Sequence, residues 1–438
     1  MSPFLGIAIV LLALSLLTVS VKRLQSRHIG PELSRKLVHM GMGIVCLSFP
    51  WLFRTAWPVW LLAAVAGVSL LALRSVPLLR RELGGVLHDV GRTSFGELYF
   101  PFGVAVVFTL ARGHTILFVI PVALLTFADA AGALVGKRWG RVKYITLEGQ
   151  KSIEGSAAVG IVACLCVLIP LLATGHTIAT SLLAGLIIGL FGLMLEAISW
   201  RGTDNVFLPL AAFAQISVYI HAPLGELFVK LAVLSALTIL AMVWRRRHII
   251  DDGARLGATL AMYFFWAIGG WRWLVAPVVL LACYVRLMPI RPHDMPRHDL
   301  VAVICVSSVG IVWCIAEAFL PDPRWLSLFT LGLATHQAII ATVRYSQARP
   351  QWPRAAWTFA GVAQAVSTQG IAFWLVNHRV TSAVSGLPCG AACLIVATIA
   401  FVLIEPKLQD PDDLNARWWK QGATAIIASI TGLYLMGV

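Results

Sequence analysis

Hydrophobic runs recur from one end of the chain to the other, separated by short polar and charged stretches. The runs are about 15 to 22 residues long, close to the length that a helix needs to cross a hydrocarbon core of about 30 Å. Reading the runs between the charged stretches predicts an all-α, polytopic membrane protein with about sixteen transmembrane helices. The predicted helix centres lie near residues 12, 45, 65, 105, 125, 165, 188, 214, 235, 262, 280, 310, 334, 365, 394 and 429.

Composition supports this class. Of the 438 residues, 59% are hydrophobic and 12% are charged, with a mean hydropathy of +0.84, whereas a soluble domain carries about 25% charged residues. The eight cysteines lie in apolar segments without a CxxC pair or a histidine at zinc spacing, so we expect them to be packing residues. The first run, Phe4–Val21, has no basic stretch before it and is expected to be a retained span.

The positive charges predict the orientation. Alternate loops contain 28 of the 34 Lys and Arg residues, and the intervening loops contain five. By the positive-inside rule, the first set of loops is cytoplasmic and both termini lie outside, as in a protein of a bacterial inner membrane. The net charge of +14 is therefore a topological feature, and no nucleic-acid partner is expected.

The character of the loops changes near residue 255. Before it, the loops predicted to be cytoplasmic mix acidic, basic, Asn, Ser and Gly residues; after it, they are mostly basic and contain proline. We therefore predict a functional domain over residues 1–255 and a second membrane domain of unknown role over residues 256–438.

A basic cluster precedes the second predicted helix. Arg35 and Lys36 are cations, and His39 follows Arg35 by about one helical turn on the same face. Such groups at a membrane interface can hold a phosphate chain or the oxygen of a lipid alcohol. Lys and Arg also flank most membrane helices as anchors, so both interpretations stay open.

The most specific pattern surrounds Asp129, which is expected near the cytoplasmic end of its helix. Gly132, Gly136 and Gly140 recur every fourth residue and leave one face as bare backbone, which a second helix or a phosphate can approach. A carboxylate in a membrane helix often marks an ion or substrate path. Lysines beside carboxylates that hold Mg²⁺ are what phosphoryl or nucleotidyl transfer requires. The following loop carries Lys137, Arg138, Arg141, Lys143 and Lys151, then Ser152, Glu154 and Gly155.

Two more acidic patches lie on the side predicted to be cytoplasmic. Glu196 ends one predicted helix, and Asp204 and Asn205 precede the next; they provide either Mg²⁺ ligands or a helix cap and turn. Glu97 starts a further helix, either within a site or paired with Arg92.

The common soluble nucleotide-binding and zinc-protease motifs are missing. The sequence has no GxxxxGK[ST], GxGxxG or HExxH pattern. A nucleotide site must then be built from membrane helices and short cytoplasmic loops, and we expect the acceptor to be a membrane lipid.

Five segments occur in a family-specific order: ELSRKLVHMGMG at 32–43, GELYFP at 96–101, ADAAGALVGKRWGRVKY at 128–144, KSIEGSAA at 151–158, and Glu196 with DNVFLPL at 204–210. This order resembles the polyprenol kinase family, which includes phytol, farnesol and dolichol kinases and the CTP-dependent diacylglycerol kinase. The resemblance covers roughly residues 30 to 245. It implies phosphoryl transfer from a nucleoside triphosphate, typically CTP, to the hydroxyl of a long isoprenoid or lipid alcohol, with Mg²⁺.

Roles follow from the resemblance by position. It implies that the metal and triphosphate are held by Asp129, Asp204 and Asn205, with Glu196 as a further ligand. The phosphates and the nucleotide loop are assigned to Lys137, Lys143, Lys151, Gly132, Gly136, Ser152, Glu154 and Gly155. The acceptor side is assigned to Arg35, Lys36, His39 and Glu97, of which His39 or Glu97 is a candidate to receive the hydroxyl proton.

A related activity stays open. Phosphatidate cytidylyltransferases share the Asp, Gly, Gly and Lys-Ser/Thr-x-Glu-Gly pattern but transfer CMP to make a CDP-lipid. The chain has DNVFLPL where that family has paired glycines and aspartates after a histidine, which favours the kinase.

A lipid transporter or scramblase is the alternative of a different class. The second half contains polar residues that either line a lipid path or join helices: Glu317, His336, Gln337, Gln364, Ser367, Thr368 and Gln369. Substrate delivery, assembly into a homo-oligomer and a second activity are all compatible with this half.

Overall fold

The computed structural model describes residues 2–25, 31–75, 96–146, 149–199, 202–243, 252–288, 299–377, 386–409 and 413–435. These ranges are almost wholly helical, which confirms the predicted all-α class. The helices are α1 (Pro3–Gln25), α2 (Pro31–Leu47), α3 (Phe49–Leu52), α4 (Trp57–Ser75), α5 (Gly96–Ala111), α6 (Thr115–Ala123), α7 (Asp129–Trp139), α8 (Ile153–Ala173), α9 (Ile178–Ile198), α10 (Asp204–Tyr219), α11 (Leu224–Val243), α12 (Asp252–Gly269), α13 (Val275–Arg286), α14 (Leu300–Phe319), α15 (Pro323–Ala348), α16 (Arg354–Asn377), α17 (Leu387–Ile404) and α18 (Leu414–Leu435).

Each predicted helix centre falls on a helical residue of the described chain. By length and composition, seven helical segments in these ranges can cross a membrane: Pro3–Gln25, Thr115–Trp139, Ile153–Ala173, Ile178–Ile198, Leu300–Phe319, Pro323–Ala348 and Leu387–Ile404. The chain is therefore a membrane protein, while the number of about sixteen spans stays a prediction.

The chain divides into two compact units, Met1–Ser235 and Ala236–Val438. The division falls within α11, about one helix before residue 255. The functional boundary at residue 255 and the roles assigned to the two sides stay predictions.

In the first unit, the long helices α8 and α9 pack with their backbones close together. A Cβ added to Gly189 would lie 2.6 Å from the carbonyl oxygen of Gly160, and one added to Gly185 would lie 3.0 Å from that of Cys164. Small residues at these positions let two apolar helices approach closely, as is common between membrane helices. This packing fixes α8, whose first turn belongs to the candidate site.

A β-hairpin interrupts the helical pattern between α7 and α8. Strands β1 (Lys143–Thr146) and β2 (Gly149–Ser152) pair antiparallel, with Lys143 opposite Ser152 and Tyr144 opposite Lys151. The sequence predicted this segment only as a loop. Its first strand is rich in aromatic and β-branched residues, which favour extended structure.

The second unit is built around α15. Of the apolar 18-residue stretch of this helix, 94% is buried, although the helix carries many polar side chains. Gln369 donates to the side-chain oxygen of Gln337 at 2.8 Å, and Gln337 donates to Thr368 at 2.6 Å. The Gln421 amide contacts Nδ1 of His336 at 3.0 Å. These polar residues therefore join neighbouring helices, which is one of the two interpretations that the sequence left open.

Candidate active site

Asp129 follows a π-helical turn inside a long helical segment. The π turn covers Leu124–Ala128, and α7 begins at Asp129 and is 11 residues long. The π turn joins α6 and α7 into one helical segment, Thr115–Trp139. Asp129 lies in the interior of this segment, so the expectation that it lies near the end of its helix is wrong. A π turn widens a helix locally and is frequent at functional sites. It places Asp129 and the backbone just before it against α2.

Asp129 is paired with a lysine from α2. The Nζ of Lys36 lies 2.6 Å from Oδ2 of Asp129, and the Lys36 side chain is only 5% exposed. His39 lies one turn along the same helix, with its Nε2 at 3.7 Å from the same carboxylate oxygen. The prediction placed Lys36 and His39 at the acceptor side and Asp129 at the metal; the structure brings all three together.

The orientation of His39 is fixed by two contacts. Its Nε2 lies 2.9 Å from the carbonyl oxygen of Leu125 in the π turn, and its ring packs edge-on against Phe100 at 4.9 Å between centroids. A carbonyl oxygen only accepts, so Nε2 carries the hydrogen in the neutral ring and Nδ1 keeps its lone pair. His39 therefore presents a proton acceptor on the side away from Leu125.

Two other predicted residues belong to this region. Arg35 is half-buried on α2, and its charge acts on both Asp129 and His39. Glu97 lies in the first turn of α5, the helix that carries Phe100, but its side chain lies outside the described residues. The charges of Lys36 and Arg35 on α2 therefore both attract the Asp129 carboxylate.

The glycine face of α7 is covered by the start of α8. A Cβ on Gly132 would lie 2.5 Å from Cγ2 of Val159, and one on Gly136 would lie 3.1 Å from Oγ of Ser152. Of the two partners that the sequence allowed for this face, a helix and a phosphate, the structure has the helix. Ser152 caps α8, since its Oγ accepts a hydrogen bond from the Gly155 backbone N–H at 3.1 Å.

A second charged cluster centres on Lys151. Its Nζ lies 2.8 Å from Oε1 of Glu196 and 3.1 Å from Oγ of Ser199, and it also donates to the backbone carbonyl of Glu196. Burial acts to lower the pKa of Lys151, but the charges of Glu196 and Asp204 outweigh it and the pKa is raised. Lys151 is thus held protonated against Glu196, and the charge of Asp204 adds to this effect.

The hairpin is tied to α8 by two further contacts. The Glu154 carboxylate accepts a hydrogen bond from the Val142 backbone N–H at 3.2 Å. The Tyr144 hydroxyl lies 2.6 Å from Oγ of Ser156. The structure therefore gives Glu154 a positioning contact at the base of the hairpin.

Lys137 and Lys143 differ from Lys36 and Lys151. Both are exposed, and neither side chain makes an ion pair or hydrogen bond with another residue of the described ranges. They lie at the end of α7 and the start of the hairpin. Exposed cations at these positions can meet an anion from the aqueous side.

Asn205 offers a test of the expected metal. It is buried at the start of α10, and its side-chain oxygen has no hydrogen-bond partner. A buried oxygen without a donor, next to the carboxylate of Asp204, fits a cation or a donor group of a ligand. However, no three His, Cys, Asp or Glu side chains of the described chain form a metal-binding group. The predicted ligands Asp129, Glu196, Asp204 and Asn205 therefore stay predictions.

Several residues of the site were not predicted. They are the hydrogen-bond partners and packing neighbours of the predicted residues: Phe100, Leu125, Tyr144, Ser156 and Ser199. Phe100 follows Glu97 by three residues, and Ser199 follows Glu196 by three residues. Helical spacing from these two predicted residues was therefore the available signal. Nothing in the sequence indicates that the Leu125 carbonyl becomes a partner of His39.

Comparison with known proteins finds a similarity to a phytol kinase. The chain is 32% identical to a phytol kinase from Synechocystis sp. over 186 residues, which is 41% of this chain and 76% of that protein. No family model and no solved structure matches the chain.

Proposed function

The chain belongs to the family of phytol and related polyprenol kinases, and we propose that it uses CTP to phosphorylate a long-chain isoprenoid alcohol at the cytoplasmic membrane interface. Phytol is the first acceptor to test, because the chain is 32% identical to a phytol kinase. The observation that carries the proposal is that this similarity extends over 76% of that protein. The carboxylate of Asp129 and the exposed cations Lys137 and Lys143 provide charges of the kind that phosphoryl transfer needs.

We assign the acceptor hydroxyl to the His39 region. The Leu125 carbonyl and the Phe100 ring hold the imidazole in place, so Nδ1 is a fixed proton acceptor. A hydroxyl that donates to Nδ1 gains nucleophilic character as it attacks the terminal phosphorus. The alcohol attacks in line and CDP leaves with the bridging oxygen, so no protein nucleophile is required.

We assign the triphosphate to the cations near the hairpin. Lys137 and Lys143 are exposed and unpaired within the described chain, so they can neutralise phosphate oxygens without first breaking an ion pair. Lys151 is engaged by Glu196 and Ser199 and instead keeps the end of α9 in place. Glu154 fixes the hairpin that carries Lys143.

Mg²⁺ is the metal that these residues fit. Asp204 and the side-chain oxygen of Asn205, which has no hydrogen-bond partner, would hold it. Asp129 would become a further ligand if its ion pair with Lys36 broke. When bound, Mg²⁺ neutralises charge on the phosphates and orients them. Asp129 then has two possible partners, a lysine and a metal.

The direct test is transfer of label in detergent. Purified protein is incubated with Mg²⁺, γ-labelled CTP or ATP, and each of phytol, farnesol, geranylgeraniol, dolichol and diacylglycerol. We expect label in an organic-soluble monophosphate when phytol is the acceptor and CTP the donor. Pyrophosphate together with a CDP-lipid, formed from phosphorylated lipids, would identify a cytidylyltransferase instead.

Matched variants connect the activity to the site. Asp129→Asn should abolish transfer while the protein stays folded in the membrane, and an active Asp129→Asn enzyme would contradict a metal or charge role for this residue. Glu226→Gln is the control. It breaks the ion pair between Glu226 and Lys230, whose charged atoms are 2.7 Å apart, and this pair lies outside the predicted motifs. This control should keep the activity.

A further inference from the structure

The second unit contains a pocket lined by two buried arginines. It lies between the ends of α13, α15 and α18 and opens to the surface, so that its empty space of about 320 Å³ includes open solvent. Its lining residues are Tyr284, Ile340, Val343, Arg344, Gln347, Arg417, Trp418 and Gln421. Arg344 is 6% exposed and Arg417 is 7% exposed. Two guanidinium groups are therefore withdrawn from water in the same pocket.

Little in the described chain neutralises this charge. Arg344 donates to the Tyr284 hydroxyl and lies over the Tyr284 ring, but a phenol is neutral. Arg417 lies over the Trp418 ring, and its Nε is buried without a hydrogen-bond partner. The lining contains no acidic residue among those described. Buried charges without a counter-ion are costly, and in membrane proteins they usually serve function.

The described carboxylate whose charge acts on Arg417 already has a lysine partner. Glu405 acts on Arg417 through its charge, but its Oε2 accepts a hydrogen bond from Lys420 at 2.8 Å. The amides of Gln347 and Gln421 are also in use, since they contact the Gln409 carbonyl and His336. The open hydrogen-bonding capacity of the pocket is therefore cationic.

We propose that this pocket binds a phosphate-bearing anion, held by Arg344 and Arg417. Guanidinium groups form paired hydrogen bonds with phosphate oxygens, and two of them balance the two charges of a phosphate monoester better than the single charge of a carboxylate. The pocket lies where α15 ends and α18 begins, next to segment 344–354, which contains three arginines and no acidic residue. A phosphate can reach it either free in water or on a lipid at the interface.

Hydrogen exchange of the full-length protein in detergent tests the proposal at the pocket itself. The probes are dodecyl phosphate, inorganic phosphate, dodecanoate and dodecanol. We expect exchange in segments 340–347 and 413–421 to slow about tenfold with dodecyl phosphate at roughly ten times its dissociation constant. Equal slowing by inorganic phosphate would identify a free-phosphate site, and slowing by dodecyl phosphate alone a lipid-phosphate site.

Other outcomes overturn the proposal. No slowing in these segments would do so, as would equal slowing by dodecanoate or dodecanol, which would indicate mere occupation by an alkyl chain. Because the readout is confined to segments of the second unit, phosphate bound by the first unit does not affect it. The result therefore stands whether or not the proposed kinase activity is found.

Variants separate binding from a structural role. Arg417→Met should remove the slowing without lowering the melting temperature, because it removes a cation that Arg344 repels. Arg417→Lys keeps the charge but cannot form the paired hydrogen bonds of a guanidinium group, so dodecyl phosphate should slow the exchange less. If Arg417→Met does not fold, the Arg417→Lys variant provides the test. Arg349→Gln, an exposed arginine at the end of α15, should bind as the wild type. Full slowing in both Arg417 variants would contradict the assignment.

Discussion

At the residue scale, the Lys36–Asp129 pair combines a structural and a chemical role. The two side chains are 5% and 23% exposed, and their charged atoms are 2.6 Å apart. Removing one partner of a buried pair leaves an uncompensated charge, which typically costs about 3–5 kcal/mol. The same carboxylate is a predicted metal ligand, so loss of activity in a single variant does not by itself separate the two roles.

A double variant separates them. Lys36→Met and Asp129→Asn should each lower the free energy of unfolding, and the combined variant should lose less than the sum of the two losses, because no charge is left unpaired. Activity should nevertheless stay absent in the combined variant. Thermal unfolding in detergent and label transfer measure the two quantities. Activity that returns together with stability would show that Asp129 acts only through the fold.

His39 allows a more selective test, because its ring is held by a carbonyl and an aromatic ring rather than by an ion pair. His39→Gln should lower kcat by about 10² to 10⁴, the range usual for loss of a general base. The KM for the nucleotide should change little, since the phosphate-binding residues are unchanged. His114→Gln, at an exposed position before α6, should have no effect. A raised KM with unchanged kcat would instead place His39 among the nucleotide-binding residues.

At the scale of elements, α2 packs closely against the π turn, where the backbone of Gly43 lies against the side chain of Thr126. A Cβ on Gly43 would overlap the Thr126 side chain inside the π turn. Gly43→Ala should therefore displace the turn that positions Asp129, at a cost of about 1–3 kcal/mol, and should reduce activity. Gly67→Ala in α4 is the control: nothing lies within 4 Å of an added Cβ there, so stability should be unchanged or higher. Equal behaviour of the two variants in thermal unfolding would contradict this packing.

The elements also show what local sequence can predict. The four-residue spacing of Gly132 and Gly136 predicted a helix face that another element could approach closely, because residues at this spacing share a face of any α-helix. In the structure, the start of α8 covers that face. The π turn was not predicted, because its residues Leu124–Ala128 have no composition that distinguishes it from a continuing α-helix. The pairing of Lys151 with Glu196 joins residues 45 positions apart. It arises from tertiary packing, which a linear pattern does not contain.

At the scale of the whole molecule, charge and hydropathy carry different information. Hydropathy located every predicted helix centre on a helical residue, because apolar runs bounded by charges are a strong helix signal in membrane proteins. It did not predict which helix is central. The most buried one, α15, contains His336, Gln337 and Arg344, because polar side chains that bond to one another can occupy the interior. Burial in the second unit therefore follows polar pairing as well as hydrophobicity.

The distribution of Lys and Arg among the loops predicts which side of the membrane each loop faces. Single cysteines at His114 and Trp271, both exposed and in segments predicted to lie outside, should react with an impermeant maleimide in intact cells. Cysteines at Lys143 and Arg349, also exposed, should react only after permeabilisation, because the loops that hold 28 of the 34 cations stay in the cytoplasm. Labelling of His114 and Lys143 from the same side would show that Thr115–Trp139 does not cross. That result would move Asp129 from a membrane-crossing helix to an interfacial one, where the acceptor alcohol would approach along the membrane surface.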